Sequence, residues 1–71
     1  MKKLGITYDM KRHVENGTEE VAETYIELPI SDYNADKVLK KGTSHMLEGT
    51  IDRICMLQGY FFDGIRRIEE I

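Results

Sequence analysis

The chain has 71 residues, 32% of them charged and 41% hydrophobic, and a formal net charge of −3. That length holds a single domain, 1–71, which buries only about 60% of the surface its unfolded chain exposes and gains about 3–5 kcal/mol from its core. Cys55 is the single cysteine, which excludes an internal disulfide framework, and Cys55, His13 and His45 are too few soft ligands for a metal cage.

The opening MKKLGITYDM has two lysines but no apolar stretch of secretory length, and no run along the chain is long enough to span a bilayer. The expectation is a complete, soluble, cytoplasmic protein. Interspersed charges of both signs favour solubility and disfavour non-specific nucleic-acid binding.

Residues 3–30 predict an antiparallel hairpin. Leu4, Ile6, Tyr8 and Met10 alternate with Gly5, Thr7, Asp9 and Lys11, and Thr24, Ile26, Leu28 and Ile30 repeat the period of two after VENGTEE. A two-residue Asn16-Gly17 turn would split the apolar set between the two faces. A three-residue loop, Asn16-Gly17-Thr18 with Gly17 at positive φ, pairs Ile6 with Leu28, Tyr8 with Ile26 and Met10 with Thr24. It also sets Lys11 against Glu23. Thr7, Asp9, His13, Val21, Tyr25 and Glu27 then form a solvated outer face.

Pro29 cannot donate to a ladder and ends the second strand. SDYNADKVLKKG predicts a short helix over 32–41, capped by Ser31 or Asp32, with Lys40 and Lys41 in the last turn and Gly42 as the left-handed stop. Its apolar face is Tyr33, Ala35, Val38 and Leu39.

From 44 to 70 the pattern predicts one long amphipathic helix, making the fold class α+β: a hairpin, a short helix and a long C-terminal helix. Leu47, Ile51, Ile54, Gln58, Phe61, Ile65 and Ile68 recur four and three residues apart, a seam of about three heptads flanked by Cys55, Leu57 and Phe62. Such a helix spans roughly 40 Å, against roughly 27 Å for an eight-residue hairpin strand. The overhang implies a homodimer self-associating through Ile51, Ile54, Gln58, Phe61, Ile65 and Ile68. Gly49, Gly59 and Gly64 oppose a continuous helix at about 1 kcal/mol each. A break at Gly59 would instead free YFFDGIRRI for a short third strand or a tight hairpin on Asp63-Gly64.

No constellation points to catalysis, and no cofactor or metal is expected. His45, Glu48 and Asp52 step along one helix face but lack further ligands. Cys55 has no base nearby, since His45 lies ten residues up the same helix and His13 lies on the hairpin's outer face. GTSHMLEG lacks the lysine and spacing of a phosphate loop. Candidate partner-binding residues are Met56 and Tyr60, four apart on the polar side of the helix beside Arg53 and Arg67. The carboxylates Glu15, Glu19, Glu20, Glu23 and Glu27 are a second set, able to mimic a phosphate row toward a basic cleft.

TYIELPISDYNADKVLKKGTSHMLEGTIDRI, residues 24–54, is similar in outline to ribbon-helix-helix DNA-binding proteins: an alternating strand, a proline, a short helix, a Gly-Thr-Ser turn and a second helix. The resemblance implies a dimer whose outward strand residues, Glu23, Tyr25 and Glu27, face the major groove, with Lys37, Lys40, Lys41 and Arg53 on phosphates. Two carboxylates toward phosphate have the wrong sign. The leading expectation is therefore a non-catalytic protein that regulates or inhibits another macromolecule by protein–protein contact. An inhibitor of a host nuclease or defence complex, encoded by a phage or mobile element, is a special case. A dimeric DNA-binding regulator is the alternative.

Overall fold

The computed structural model of the protein describes residues 1–15, 17 and 19–71. Its class is α+β, with the order β1 (Lys2–His13), β2 (Glu19–Ile30), α1 (Asp32–Lys41), α2 (His45–Leu57) and β3 (Phe61–Glu70). The strands form one antiparallel sheet in the order β2-β1-β3, so the first strand is central and the last returns to pair with it. No helix is long and apolar enough to cross a membrane.

The alternating residues of β1 organise the core. Leu4, Ile6, Tyr8 and Met10 are buried together with Ile30, Ala35, Val38, Leu47, Ile51 and Cys55. Helix α1 packs over β1 and β3, and α2 over β3. Half-buried Ala22, Ile26 and Leu28 from β2 and Phe62, Ile65 and Ile68 from β3 flank the cluster. The hydrophobic periods thus become one interior, covered by two helices on one face of the sheet.

The hairpin register differs from the expected one by two residues. Ile6 pairs with Ile26, Leu4 with Leu28, Tyr8 with Thr24 and Met10 with Ala22, while Lys11 faces Val21 instead of Glu23. A two-residue slide preserves the inward face, so alternation alone does not distinguish the registers. The observed one also seats Arg12 opposite Glu20, where Nη2 lies 3.0 Å from the carboxylate. The last pair is His13–Glu19, which makes the connection longer than three residues. Gly17 has φ 81° and donates to the Val14 carbonyl at 2.9 Å. Asn16 and Thr18 of the expected loop lie outside the described residues.

Helix α1 is built by its caps. The Ser31 hydroxyl accepts from the Asn34 N–H at 3.2 Å, and the N–H groups of Gly42, at φ 68°, and of Thr43 reach back to the Lys37 carbonyl. Ala35 and Val38 are buried, whereas Tyr33 and Leu39 of the expected apolar face are exposed.

The long C-terminal helix is the main correction. Helix α2 ends at Leu57, Gly59 takes φ 80°, the Gly59 N–H donates to the Met56 carbonyl at 3.1 Å and the Tyr60 N–H to the Cys55 carbonyl at 2.9 Å. This pair of bonds is a Schellman stop, which turns the chain out of the helix. The ten residues Phe61–Glu70 then run as a strand along β1.

The heptad-like spacing has a different origin. Across β1 the partners of Met10, Tyr8 and Ile6 are Phe62, Ile65 and Ile68, so steps of two on β1 meet steps of three on β3. Register shifts between Asp9 and Met10 and between Thr7 and Tyr8 absorb the extra residues. A bulge places two residues of one strand opposite one of its partner, so two bulges keep all three apolar side chains on the inner face. Spacing that reads as helical is here the spacing of a twice-bulged strand.

These features set two stability predictions. Gly59→Ala should lower stability by about 1–2 kcal/mol, because alanine resists positive φ; in a continuous helix the same change would raise it by about 1 kcal/mol. Chemical denaturation gives the sign. Ile51→Ala, at a fully buried position, should cost about 2–5 kcal/mol. Leu57→Ala, 88% exposed, should stay within about 0.5 kcal/mol of the parent.

Candidate functional site

The outer face of the sheet is a lattice of opposite charges. Arg66 Nε donates to both Asp9 carboxylate oxygens at 2.8 Å, and its Nη1 lies 3.6 Å from Glu23. Lys11 lies 3.4 Å from Asp63, and Arg67 lies 3.1 Å from Glu69. At the opposite end of the strands Lys2 Nζ lies 3.0 Å from Glu70, which raises the lysine pKa, and the Ile71 N–H bonds the Lys3 carbonyl at 3.0 Å. Exposed pairs of this kind contribute little each. Their effect over β1 and β3 is near-neutrality, while β2 adds carboxylates and no cation to the same face.

Gly5 explains why Tyr25 lies flat on this face. A Cβ at Gly5 would collide with the Tyr25 hydroxyl and approach ring atom Cε1 to 3.0 Å. The tyrosine thus occupies the space the glycine leaves, with its hydroxyl donating to Glu27 at 3.0 Å.

The residues proposed for DNA contact fall in a different arrangement. Glu23, Tyr25 and Glu27 sit on an edge strand that pairs with β1 of its own chain, and Glu23 and Tyr25 are engaged as described. On α1, Lys37 lies over the Tyr33 ring at 4.5 Å and Lys40 lies 3.8 Å from Asp36, while Lys41 is exposed.

The helical self-association seam is dispersed. Ile51 is in the core, Ile54 is half-buried on α2, and Gln58 is the exposed residue before the Schellman glycine. Phe61 faces outward on β3, and Ile65 and Ile68 line its inner side. The continuous helical seam expected for these six residues does not form, because Phe61, Ile65 and Ile68 enter strand pairing with β1 while Ile51, Ile54 and Gln58 stay on α2 or at its end.

Met56 and Tyr60 also separate. Tyr60 packs against the core beneath Arg12, whose guanidinium carbon is 5.0 Å from the ring centre. Arg67 lies on β3, engaged with Glu69. Met56 instead joins Arg53 and Leu57, which together line a shallow open depression of about 410 Å³ on α2. Met56 is 62% and Leu57 88% exposed. The sequence pattern assigns Leu57 to the flank of the seam; the signal that places it outside is its position two residues before the helix-stopping Gly59.

The remaining candidates spread along the hairpin. Glu15 lines an open hollow with Arg12, His13 and Val14, and Glu20 accepts from Arg12 Nε at 3.0 Å. Glu19, Glu20, Glu23 and Glu27 all lie on β2 and are exposed. Among the described residues no group of three His, Cys, Asp or Glu side chains is placed to hold a metal, and His45, Glu48 and Asp52 are exposed along α2.

Cys55 is fully buried, and burial, with a smaller contribution from Asp52, pushes its thiol pKa up. Burial also raises the pKa of Tyr8. Below the unfolded-state pKa both groups are protonated in both states, so stability there is complete. It is lost as pH rises and the unfolded chain alone ionises. Denaturation midpoints should therefore fall as pH rises above about 8.5, the cysteine range. Cys55→Ala should remove the cysteine part of that decline, and in the native parent a thiol reagent should label Cys55 on the order of 100-fold more slowly than in denaturant.

No protein-family model, no curated protein and no solved structure matches the chain. The readings regulator, inhibitor and mobile-element product accordingly rest on sequence type alone, without support from a relative.

Proposed function

We propose that the protein acts by contact with another protein, through a surface centred on Met56 and Leu57. The observation that carries this reading is the exposure of two adjacent large apolar side chains beside Arg53 in a shared depression. Single exposed apolar residues are ordinary. Two together on a concave surface with an arginine at the rim match the residue types that anchor protein interfaces. Covering both would contribute roughly 3–6 kcal/mol at about 1.5–3 kcal/mol each, enough to matter in a moderate-affinity complex.

Other features support the same reading. Helix α2 ends at this point, so the two side chains sit at a rigid corner fixed by the Schellman bonds and need little ordering on binding. A nucleic-acid ligand is not favoured, because the arginines and lysines of the sheet's outer face are interleaved with Asp9, Glu23, Asp63 and Glu69. A cytoplasmic setting suits the single buried thiol.

The test is a tagged form of the protein expressed in the cells it comes from, compared with the double variant Met56→Asp, Leu57→Asp. Both positions are exposed, so the variant should keep the parent's circular dichroism and denaturation midpoint within about 0.5 kcal/mol. The parent should co-purify with a stoichiometric protein that the variant loses. Equal recovery by the folded variant would contradict this surface, and a parent that elutes alone would contradict the binding reading.

A further inference from the structure

The two edges of the sheet are not alike. The β3 edge is interrupted by two register shifts, a common device for blunting an edge. The β2 edge is straight: all twelve of its residues pair with β1 without a shift, and it carries no lysine. Only Pro29, at its C-terminal end, blocks a further ladder. Every second residue along Glu20–Leu28 therefore turns a backbone N–H and C=O away from β1, where the described sheet supplies no partner.

The two faces beside that edge differ in chemistry. Inward, Ala22, Thr24, Ile26 and Leu28 are only half-buried, because α1 and α2 lie chiefly over β1 and β3. Outward, the strand presents Glu19, Val21, Glu23, Tyr25 and Glu27, with the three carboxylates exposed. A strand added here would meet an apolar row on one side and an acidic row on the other.

We infer that the β2 edge receives a basic amphipathic β-strand from a partner protein, with apolar residues toward Ala22, Ile26 and Leu28 and lysine or arginine toward Glu23 and Glu27. The inference rests on the protein-binding reading above, though not on the Met56 and Leu57 surface. Charge decides the occupant. Two copies pairing β2 to β2 about Glu23 would oppose Glu19 to Glu27 and Glu23 to its own copy, and pairing about Tyr25 would oppose Glu23 to Glu27. Pairing about Thr24 opposes no two carboxylates directly but sets Glu23 diagonal to both Glu23 and Glu27 of the copy, so every one of these registers gathers six carboxylates on one face. Like charges directly opposed destabilise a ladder. The edge thus repels itself while attracting the opposite sign, and backbone bonds supply affinity as in other strand additions.

The probe is a capped synthetic peptide of alternating lysine and valine, about nine residues long to match the open edge at 3.3–3.4 Å per residue. Calorimetric titration into the purified protein at low salt should show saturable binding. N-methylating the peptide backbone at one of its two alternating sets of amides keeps the charge but removes the donors that face β2, and should weaken binding at least about tenfold. The exposed double variant Glu23→Lys, Glu27→Lys should weaken it similarly, and should gain binding of an alternating glutamate–valine peptide. Amide shifts on titration should concentrate at residues 20–28. Absence of binding would overturn the inference, as would equal binding of both N-methylated peptides, which signals charge attraction alone, or shifts centred on β3. None of these peptide results depends on the cellular partner, so failure here leaves the Met56 and Leu57 test standing on its own.

Discussion

Strand β1 has partners on both sides and a fully apolar inner row, and that demand shapes the rest of the chain. Leu4, Ile6 and Tyr8 are almost completely excluded from solvent, which requires a strand along each edge and a layer above. A chain of 71 residues has no spare element for the task. The C-terminal segment must therefore return to β1 as a strand, and the two helices must fit between β2 and β3. The 45 × 18 × 18 Å shape follows from one narrow sheet with a short helical layer.

That return depends on a few local choices. Gly59 accepts the positive φ that ends α2, and Tyr60 both closes the Schellman bonds and packs against the core. Bulged pairing then lets Phe62, Ile65 and Ile68 fill the space above Met10, Tyr8 and Ile6. The tilted contact of the Tyr8 and Phe62 rings, 6.5 Å between centres, joins central strand and returning strand inside the core. Removing the turn would leave β1 with an uncovered edge and the apolar residues of β3 without a place to go.

The parts legible in the sequence are those whose signals are local. Alternation marks the strands of the hairpin, and Ser31 and Gly42 bracket α1 because caps act through neighbouring backbone groups. The register was not legible, since a slide of two leaves every inward residue inward. The last third misleads for a more specific reason: two bulges stretch a strand's period of two into steps of three, so Ile65 and Ile68 on β3 continue in sequence the spacing that Ile51 and Ile54 begin on α2. Aromatic and β-branched residues at 60–62 and 65 favour a strand locally, but only pairing with β1 decides the matter. For the candidate site, the exposure of Arg53 and Met56 is legible from their place on the polar side of the helix, whereas that of Leu57 follows only from the helix stop beside it.

The same geometry separates a surface whose charges answer one another from two features that are left open. On the outer face of β1 and β3, Arg66, Lys11 and Arg67 are answered by carboxylates, so that part of the face carries little net charge, whereas Glu19 and Glu27 on β2 face no cation among the described residues. The helix end at Met56 and Leu57 is apolar and exposed, and the β2 edge is acidic and without a partner among the described strands. Two different features of one small domain thus face outward with unmet interactions, one in hydrophobic area and one in backbone hydrogen bonding. The measurement that tests the account most directly is a backbone NMR assignment of residues 58–70 with cross-strand contacts to β1. Strand-type carbon shifts from Phe61 onward, with close proton contacts between Ile6 and Ile68 and between Met10 and Phe62, are the predicted result. Helix-type shifts running unbroken through Gly59 toward the C-terminus would contradict it.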